Sequence, residues 1–260
     1  MRLRKYHGLG NDFLILLDPD DRQPVDGLLA RAVCDRHRGV GADGLIRVGR
    51  HLTMELYNAD GGRAETSGNG LRCVARAVVD AGLAPGPQFA VQTDAGRREL
   101  TLHPNGSITV DMGIAKVEAH RSPDLRRCTL LDLGNPHVVL EVSDLEKLDV
   151  AEEVDAVNQI YPGGTNVEFV VPGPGRGELS MRVWERGVGE TLACGSGACA
   201  AAFAAHGWGL VDHEVTVHQP GGDVLVELTG GTIRLTGPAE YVCDVDYPDV
   251  QPDGSAPAWP

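Results

Sequence analysis

The sequence is poor in positive charge and lacks any long apolar run. Its 23 lysine and arginine residues are outnumbered by 37 aspartate and glutamate residues, which gives a formal net charge of −14. Nucleic acid and anionic membrane surfaces would be repelled at long range, so a small-molecule partner is expected. No stretch approaches the roughly 18 to 20 apolar residues of a membrane span. The opening segment Arg4-Lys5-Tyr6-His7 is not the apolar core of a signal peptide, and a cytoplasmic location is therefore expected.

Cysteine and lysine are also scarce. The six cysteines are too few for a disulfide framework over 260 residues, and Cys194 and Cys199 have no His or Cys partner at metal-finger spacing. Reduced thiols and no metal site are expected. The three lysines, Lys5, Lys116 and Lys147, lie outside glycine-rich segments. This disfavours a pyridoxal-dependent enzyme, because that cofactor needs a Schiff-base lysine and a phosphate cup.

Glycine and proline, in contrast, are abundant, with 34 and 16 residues. Turn segments such as Asn105-Gly106 and Gly230-Gly231 separate short alternating strands, which favours mostly antiparallel pairing. The length also allows two domains of about 120 residues, each with its own core.

An internal repeat relates the two halves of the chain with a shift of 127 residues. The segments in this register are Tyr57-Asn58 with Trp184-Glu185, Ser67-Gly68-Asn69-Gly70 with Cys194-Gly195-Ser196-Gly197, and Gly82-Leu83 with Gly209-Leu210. Each copy predicts an alternating strand, a glycine-rich turn, a helix and three further strands. The helices are predicted over about 71–81, ended by Gly82, and over about 198–206, ended by Gly207 or Gly209. The predicted fold is α+β with pseudo-symmetric halves over 1–116 and 117–238, a linker at 115–125, and a final strand and frayed tail over 239–260.

The two glycine-rich turns favour an anionic group, because a helix start offers unpaired N–H groups and the positive end of the helix dipole. If the halves pack about a pseudo-twofold axis, Ser67 and Cys194 face each other across one substrate carbon. Such a pair suits stereoinversion, since a base removes a proton from one face while an acid supplies another to the opposite face. The helix start is expected to lower the pKa of Cys194, so that a thiolate forms at neutral pH. The simpler interpretation of Cys194 is a small buried apolar side chain.

A series of motifs along nearly the whole chain resembles the diaminopimelate epimerase family. The motifs are HGLGNDF (7–13), RHRGVGADG (36–44), NADG (58–61), GNGLRC (68–73), GNPH (134–137), GTN (164–166), ERG (185–187) and ACGSGAC (193–199). The resemblance implies two pseudo-symmetric domains, each a mostly antiparallel, β-barrel-like sheet around a central helix. It also implies a substrate bound between the domains and no cofactor.

The resemblance implies roles for individual residues as well. Cys194 is one of the two catalytic residues, Ser67 occupies the position of the other, and His137 lies beside them. The amides of Gly68, Asn69, Gly195 and Ser196 are implied to receive the carboxylate of the reacting end. The other implied substrate-binding residues are Asn11, Asn58, Asn135, Asn166, Glu185 and Arg186. Each has a simpler interpretation, such as a surface ion pair for Glu185 and Arg186, a turn for Asn58 and a packed histidine for His137.

Ser67 departs from the family, whose members usually have cysteine there, and Gly62 stands where serine is usual. Cys73 is no replacement, because it is the second cysteine of the motif and lies inside the helix. A serine hydroxyl is a far weaker acid than a thiol and forms no useful base at neutral pH without a strong partner. Three alternatives stay open. Ser67 supports epimerisation slowly or with help from His137 or a water, the chain performs a one-base reaction on a related amino acid, or the site is impaired, as by a deliberate substitution that traps a ligand.

The expected function is cofactor-independent epimerisation of L,L-diaminopimelate to meso-diaminopimelate, a step towards lysine and peptidoglycan precursors. Racemases for histidine or hydroxyproline, one-base lyases and a ligand-binding protein that retains the pocket remain alternatives. Glu185 and Arg186 favour a substrate with a charged far end. Self-association into a homodimer is left open.

Overall fold

The structure, a computed structural model, describes residues 1–119, 127–161 and 163–248. The chain divides into two compact units. The first unit comprises Met1–Ile108 and the segment that begins at Pro238, and the second unit comprises Thr109–Gly237. The boundary lies before the predicted position at 116 because Thr109 Oγ1 lies 2.6 Å from Thr236 Oγ1, within the second unit.

The first unit contains the helices α1 (Gly27–Cys34) and α2 (Gly68–Asp80) and a short 3-10 helix at Arg50–Leu52. Its strands are β1 (Arg2–Gly8), β2 (Asn11–Leu17), β3 (Gly44–Val48), β4 (Met54–Asn58), β5 (Arg63–Ala64), β6 (Gln88–Thr93) and β7 (Gly96–Leu102). The second unit contains the helices α3 (Val150–Ile160) and α4 (Gly195–Gly207). Its strands are β8 (Ile108–Gly113), β9 (Lys116–Ala119), β10 (Cys128–Asp132), β11 (Pro136–Glu141), β12 (Asn166–Pro172), β13 (Glu178–Glu185), β14 (Gly189–Thr191), β15 (Glu214–Gln219), β16 (Gly222–Thr229) and β17 (Thr232–Gly237). The chain then returns to the first unit as β18 (Glu240–Asp246).

The sheet of the first unit has the order β18-β1-β2-β3-β4-β5, and β6 and β7 form a hairpin. Only β2 and β3 are parallel in this sheet, and α1 lies in the crossover between them, as a parallel connection requires. The helix α2 packs against β1, β2 and β3. Its residues Leu71, Val74 and Val78 are fully buried there, so α2 is the core helix of this unit.

The second unit repeats these pairings. Strands β10 and β11 are antiparallel, β11 and β12 are parallel with α3 between them, and β12 and β13 are antiparallel. The sheet continues from β13 through β15 and β16 to β17, and β14 pairs with β13. The helix α4 packs against β11, β12 and β13 and is buried along most of its length. The predicted α+β architecture of mostly antiparallel sheets around central helices is confirmed, and the order of the described strands is open at both ends.

Both core helices begin earlier than predicted. Ser67 and Cys194 are the N-cap residues, and the glycine-rich segments after them form the first helical turns. The ends agree better with the sequence, because Gly82 (φ +68°) and Gly209 (φ +76°) adopt the left-handed conformation just after the C-cap residues. Gly207 is still helical, so Gly209 is the stop signal of α4.

The predicted linker at 115–125 is partly wrong, since the strand β9 (Lys116–Ala119) pairs with β10. The rest of that linker, from 120, and the predicted tail after Pro248 lie outside the described residues. The predicted final strand is β18, which pairs with β1. In the described ranges, no helix combines the length and apolarity that crossing a bilayer requires.

A buried charge network holds the end of β2 against β3. Arg47 is 8% exposed and donates to Asp18 Oδ2 from Nε at 3.0 Å and from Nη2 at 2.8 Å. Its Nη1 also donates to Glu55 Oε1 at 2.6 Å. Asp18 accepts two backbone N–H groups as well, from Arg22 and Gln23. The guanidinium and the carboxylate therefore have partners although both are withdrawn from water.

We expect Asp18→Ala to lower the free energy of unfolding by about 3 kcal/mol, because it leaves a buried guanidinium without its main partner. Asp20→Ala is the matched control, since it removes an exposed ion pair with Arg22 at 3.1 Å and should cost less than about 1 kcal/mol. Urea unfolding followed by circular dichroism measures both. Equal losses would contradict the burial argument.

Candidate active site

The side chain of Cys194 is fixed at the start of α4. Its backbone is extended, with φ −128° and ψ 118°, and its Sγ accepts a hydrogen bond from the Gly197 N–H at 3.3 Å. Ser196 Oγ lies 3.5 Å from Sγ, and the Cys194 N–H donates to Gln219 Oε1 at 2.8 Å. Cys194 is 5% exposed. The thiol is therefore buried at the positive end of a helix, in one orientation.

This environment favours the protonated thiol. Burial raises the pKa of Cys194 well above its ordinary value, and the negative charges of Glu185 and Glu168 raise it further. Ser196 and the Gly197 N–H lower the pKa but do not outweigh these effects. The expectation of a thiolate at neutral pH is therefore wrong for the protein without a ligand. Ionisation of the Cys194 thiol at neutral pH would require a positive group nearby.

His137 and Glu168 form a buried pair on neighbouring strands of the same unit. His137 Nδ1 lies 2.7 Å from Glu168 Oε1, and both side chains are fully buried. His137 Nε2 lies 3.0 Å from Asn135 Oδ1. Burial raises the pKa of the Glu168 carboxyl, and His137 opposes that rise. A charged or proton-sharing pair thus lies inside the sheet that supports α4.

The start of α2 presents Ser67 in the same way. Its backbone is extended, with φ −148° and ψ 125°, and its Oγ accepts a hydrogen bond from the Gly70 N–H at 3.1 Å. Gly68 and Asn69 are buried in the first turn of this helix. Ser67 and Cys194 are therefore structurally equivalent within their units.

A directed chain of hydrogen bonds fixes the amides next to Ser67. Arg72, which is fully buried, donates to Asn69 Oδ1 at 2.7 Å. Asn69 Nδ2 donates to Asn11 Oδ1 at 3.1 Å, and Asn11 Nδ2 donates to Asp43 Oδ2 at 2.8 Å. A guanidinium can only donate and a carboxylate can only accept, so both amides have a defined direction. The second N–H of the Asn11 amide makes no hydrogen bond to another described residue.

The remaining predicted side chains lie at strand ends. Asn166 Nδ2 donates to Pro136 O at 3.0 Å, and Asn166 Oδ1 accepts the Arg186 N–H at 3.0 Å. Glu185 Oε1 accepts from Thr191 Oγ1 at 2.6 Å. Arg186 is exposed, and its guanidinium makes no ion pair with the residues that the structure describes. Asn58 ends β4 opposite Gly44, and its N–H donates to Gly62 O at 2.8 Å.

In the first unit Asn11 is hydrogen-bonded to Asn69 in the first turn of α2, and in the second unit Glu185 acts electrostatically on Cys194 at the start of α4. Sequence reasoning missed Glu168 and Gln219, and it gave no role to Arg72. A signal for Glu168 exists, because it is the single charged residue of the apolar strand NVEFVVP. Across the described parts of the chain, no three His, Cys, Asp or Glu side chains are grouped to hold a metal ion.

Comparison with known proteins assigns this arrangement to a family. A family model described as "Diaminopimelate epimerase" matches residues 3–118 and 129–242. The chain belongs to the diaminopimelate epimerase family. A diaminopimelate epimerase from Moorella thermoacetica is 40% identical over 278 residues, which cover 95% of this chain and 99% of the relative. A second one, from Thermobifida fusca, is 40% identical over 269 residues, covering 95% of this chain and 97% of the relative.

Solved structures share the fold beyond the diaminopimelate epimerase family. A PhzF-family phenazine biosynthesis protein from Bacillus anthracis has a TM-score of 0.73 at 17% identity, covering 94% of this chain and 98% of its own. A hydroxyproline epimerase from Agrobacterium vitis, solved with trans-4-hydroxy-L-proline, has a TM-score of 0.68 at 17% identity, covering 94% and 91%. At this identity the likeness establishes the fold alone.

We expect Glu185→Gln to move the alkylation of Cys194 to lower pH, because it removes a negative charge that raises the pKa of the thiol. The measurement is the rate of iodoacetamide labelling of the Cys194 peptide against pH, read by mass spectrometry. Glu178→Gln, at the exposed opposite end of β13, is the control and should leave the profile in place. A profile that Glu185→Gln does not move would show that the charge of Glu185 does not contribute to the pKa of the thiol.

Proposed function

We propose that this chain is a cofactor-independent epimerase that interconverts L,L-diaminopimelate and meso-diaminopimelate. The observation that carries the proposal is the equivalence of Ser67 and Cys194. Each is the N-cap of a buried core helix, and each side chain accepts the N–H of the residue three positions later. Two equivalent protic groups suit a reaction that handles one proton on each face of a carbon. Membership of the family, with relatives that carry this name over nearly their whole length, supports the substrate.

The reacting end of the substrate would bind at the two helix starts. Its carboxylate takes up the electron pair when the α-proton leaves, so donors aimed at that carboxylate lower the barrier. The N–H groups of Gly68, Asn69, Gly195 and Ser196 lie in the first helical turns, at the positive ends of the helix dipoles, where an anion is favoured. The free N–H of Asn11 adds one more donor.

The far end of the substrate would be recognised by charge. It carries a carboxylate and an ammonium group, which an arginine and a glutamate can bind respectively. Arg186 suits the first task because its guanidinium is exposed and not committed to another ion pair among the described residues. Glu185 suits the second, since Thr191 already holds one of its carboxylate oxygens in place.

Proton transfer at Cys194 would depend on the bound ammonium group. The positive charge of the substrate offsets Glu185 and Glu168, so the thiol can release its proton to solvent as the substrate binds. In one direction the thiolate removes the α-proton from its face, and the Ser67 hydroxyl delivers its own proton to the opposite face. The alkoxide left on Ser67 is then reprotonated from solvent. Because a hydroxyl gives up its proton far less readily than a thiol, the step at Ser67 limits inversion.

We expect Ser67→Cys to raise the rate of inversion by about 10²-fold or more, since one positioned acid or base contributes this much. A cysteine fits the position, because Cys194 makes the same capping contact in the second unit. The experiment follows solvent deuterium at the α-carbon of both isomers, together with optical inversion. In the unmodified protein, exchange on the Cys194 face should exceed inversion.

Three variants complete this test. Ser67→Ala should abolish inversion and retain exchange, whereas Cys194→Ser should abolish exchange for the isomer that places its proton on that face. Cys243→Ser, on β18, is the thiol control and should match the unmodified protein. If the unmodified protein shows exchange without inversion, and Ser67→Cys does not produce inversion, a one-base enzyme is favoured. Saturable binding of diaminopimelate without any exchange would favour a binding protein.

A further inference from the structure

We propose that Glu168 is a positioning residue, which shares one proton with His137 and holds a negative charge close to Cys194, so that it controls when this thiol ionises. The inference deepens the proposed function, on which its catalytic meaning rests.

The hydrogen bonds of His137 define where its protons are. Glu168 Oε1 lies 2.7 Å from Nδ1, a distance at which one proton is held between a carboxylate and an imidazole. Asn135 Oδ1 lies 3.0 Å from Nε2, and an amide oxygen can only accept, so Nε2 carries a hydrogen. The imidazole and the carboxyl group therefore hold two protons together. One proton is on Nε2, and the other lies between Nδ1 and Glu168 Oε1. This proton keeps the buried pair neutral overall.

The carboxylate of Glu168 also lies close to the reacting thiol. Gly197 leaves room for both, because a Cβ atom on this residue would lie 2.8 Å from Glu168 Oε1 and 3.3 Å from Cys194 Sγ. The carboxylate and the sulfur are therefore within about 6 Å of each other, where a charge shifts a thiol's ionisation strongly. Glu168 Oε2 is buried without a hydrogen-bond partner among the described residues. The charge of the carboxylate is therefore offset by His137 on the Oε1 side and by no donor on the Oε2 side.

The first unit shows that the fold does not require this pair. The strand registers are the same in both units, with the ladder Leu14, Leu45, Tyr57 in the first and Val138, Val167, Trp184 in the second. One residue away along these strands, Phe13 corresponds to His137 and Ile46 corresponds to Glu168. A Cβ on Gly70 would meet Ile46 Cδ1 at 3.1 Å, as one on Gly197 would meet Glu168. Apolar side chains thus fill these positions beneath α2, and the polar pair beneath α4 serves Cys194.

Among the described residues, the ionisable groups that act on Glu168 and Cys194 come from neighbouring strands and from α4. His137 comes from β11, Glu185 from β13 and Cys194 from the start of α4, and Gln219 from β15 contributes only a neutral amide. Removing the charge of Glu168 therefore has two separate consequences. The shared proton of His137 is lost, and the thiol ionises more easily.

The test is Glu168→Gln, a change of nearly equal size, with Glu178→Gln on the exposed end of β13 as the matched control. We expect labelling of Cys194 by iodoacetamide to move to lower pH by about one pH unit in Glu168→Gln and to stay in place in the control. In nitrogen-15 NMR of the unmodified protein, we expect a strongly deshielded proton on Nδ1 of His137 and a protonated Nε2. The deshielded proton should be absent in Glu168→Gln, and Glu168→Asp should restore part of both signatures.

An unchanged labelling profile in Glu168→Gln would overturn the proposal, because it would mean that the carboxyl is neutral or too distant. A His137 ring without a proton on Nδ1 in the unmodified protein would overturn it too, and that measurement needs no variant to fold. Neither readout uses a substrate. Their failure would therefore leave the proposed epimerisation standing, and absence of epimerisation would leave both readouts valid.

Discussion

The N–H of Gly197 donates to Cys194 Sγ, and the geometry of this buried thiol depends on the contact. It makes the thiol part of the helix α4 rather than of the loop before it, so that the sulfur inherits the rigidity of a buried helix. The same contact requires a glycine at 197, because a larger residue would collide with Glu168 and crowd the sulfur. Gly197 thus caps the thiol of Cys194 and leaves the space that Glu168 occupies.

Two opposing electrostatic effects meet at that sulfur. Helix N–H groups favour a thiolate, whereas burial and two glutamates favour the thiol, and the second group of effects is stronger. The balance is useful for an enzyme, because a thiol that ionises only beside a positive ligand is protected from chemistry with other molecules. The first unit has no comparable balance. Ser67 is capped in the same manner, but the apolar Ile46 lies against Gly70 where Glu168 lies against Gly197 in the second unit.

The sequence was sufficient to predict the repeat, both core helices, about half of the described strands and the mostly antiparallel pairing, because these features follow from alternation and from glycine positions. The helix starts were placed three residues late. Glycine-rich segments are typical of turns, and their absorption into a helix here depends on the capping side chains of Ser67 and Cys194. The buried Glu168 and Arg72 could not be interpreted from local pattern, since His137 and the Pro238 carbonyl group, with which they pair, are distant in the sequence. For the same reason the raised pKa of Cys194 could not be foreseen.

The return of β18 to the first unit determines the order in which the protein can be completed during synthesis. Strand β1 has β18 as one of its two neighbours, and the N-terminal ammonium group donates to Tyr247 O at 2.7 Å. The second unit, in contrast, is a continuous stretch of chain from Thr109 to Gly237. On the ribosome, the second unit is therefore whole before the first, although the first is translated earlier. Until β18 emerges, one edge of β1 exposes backbone groups that can pair with other chains, so the nascent first unit is open to misassociation.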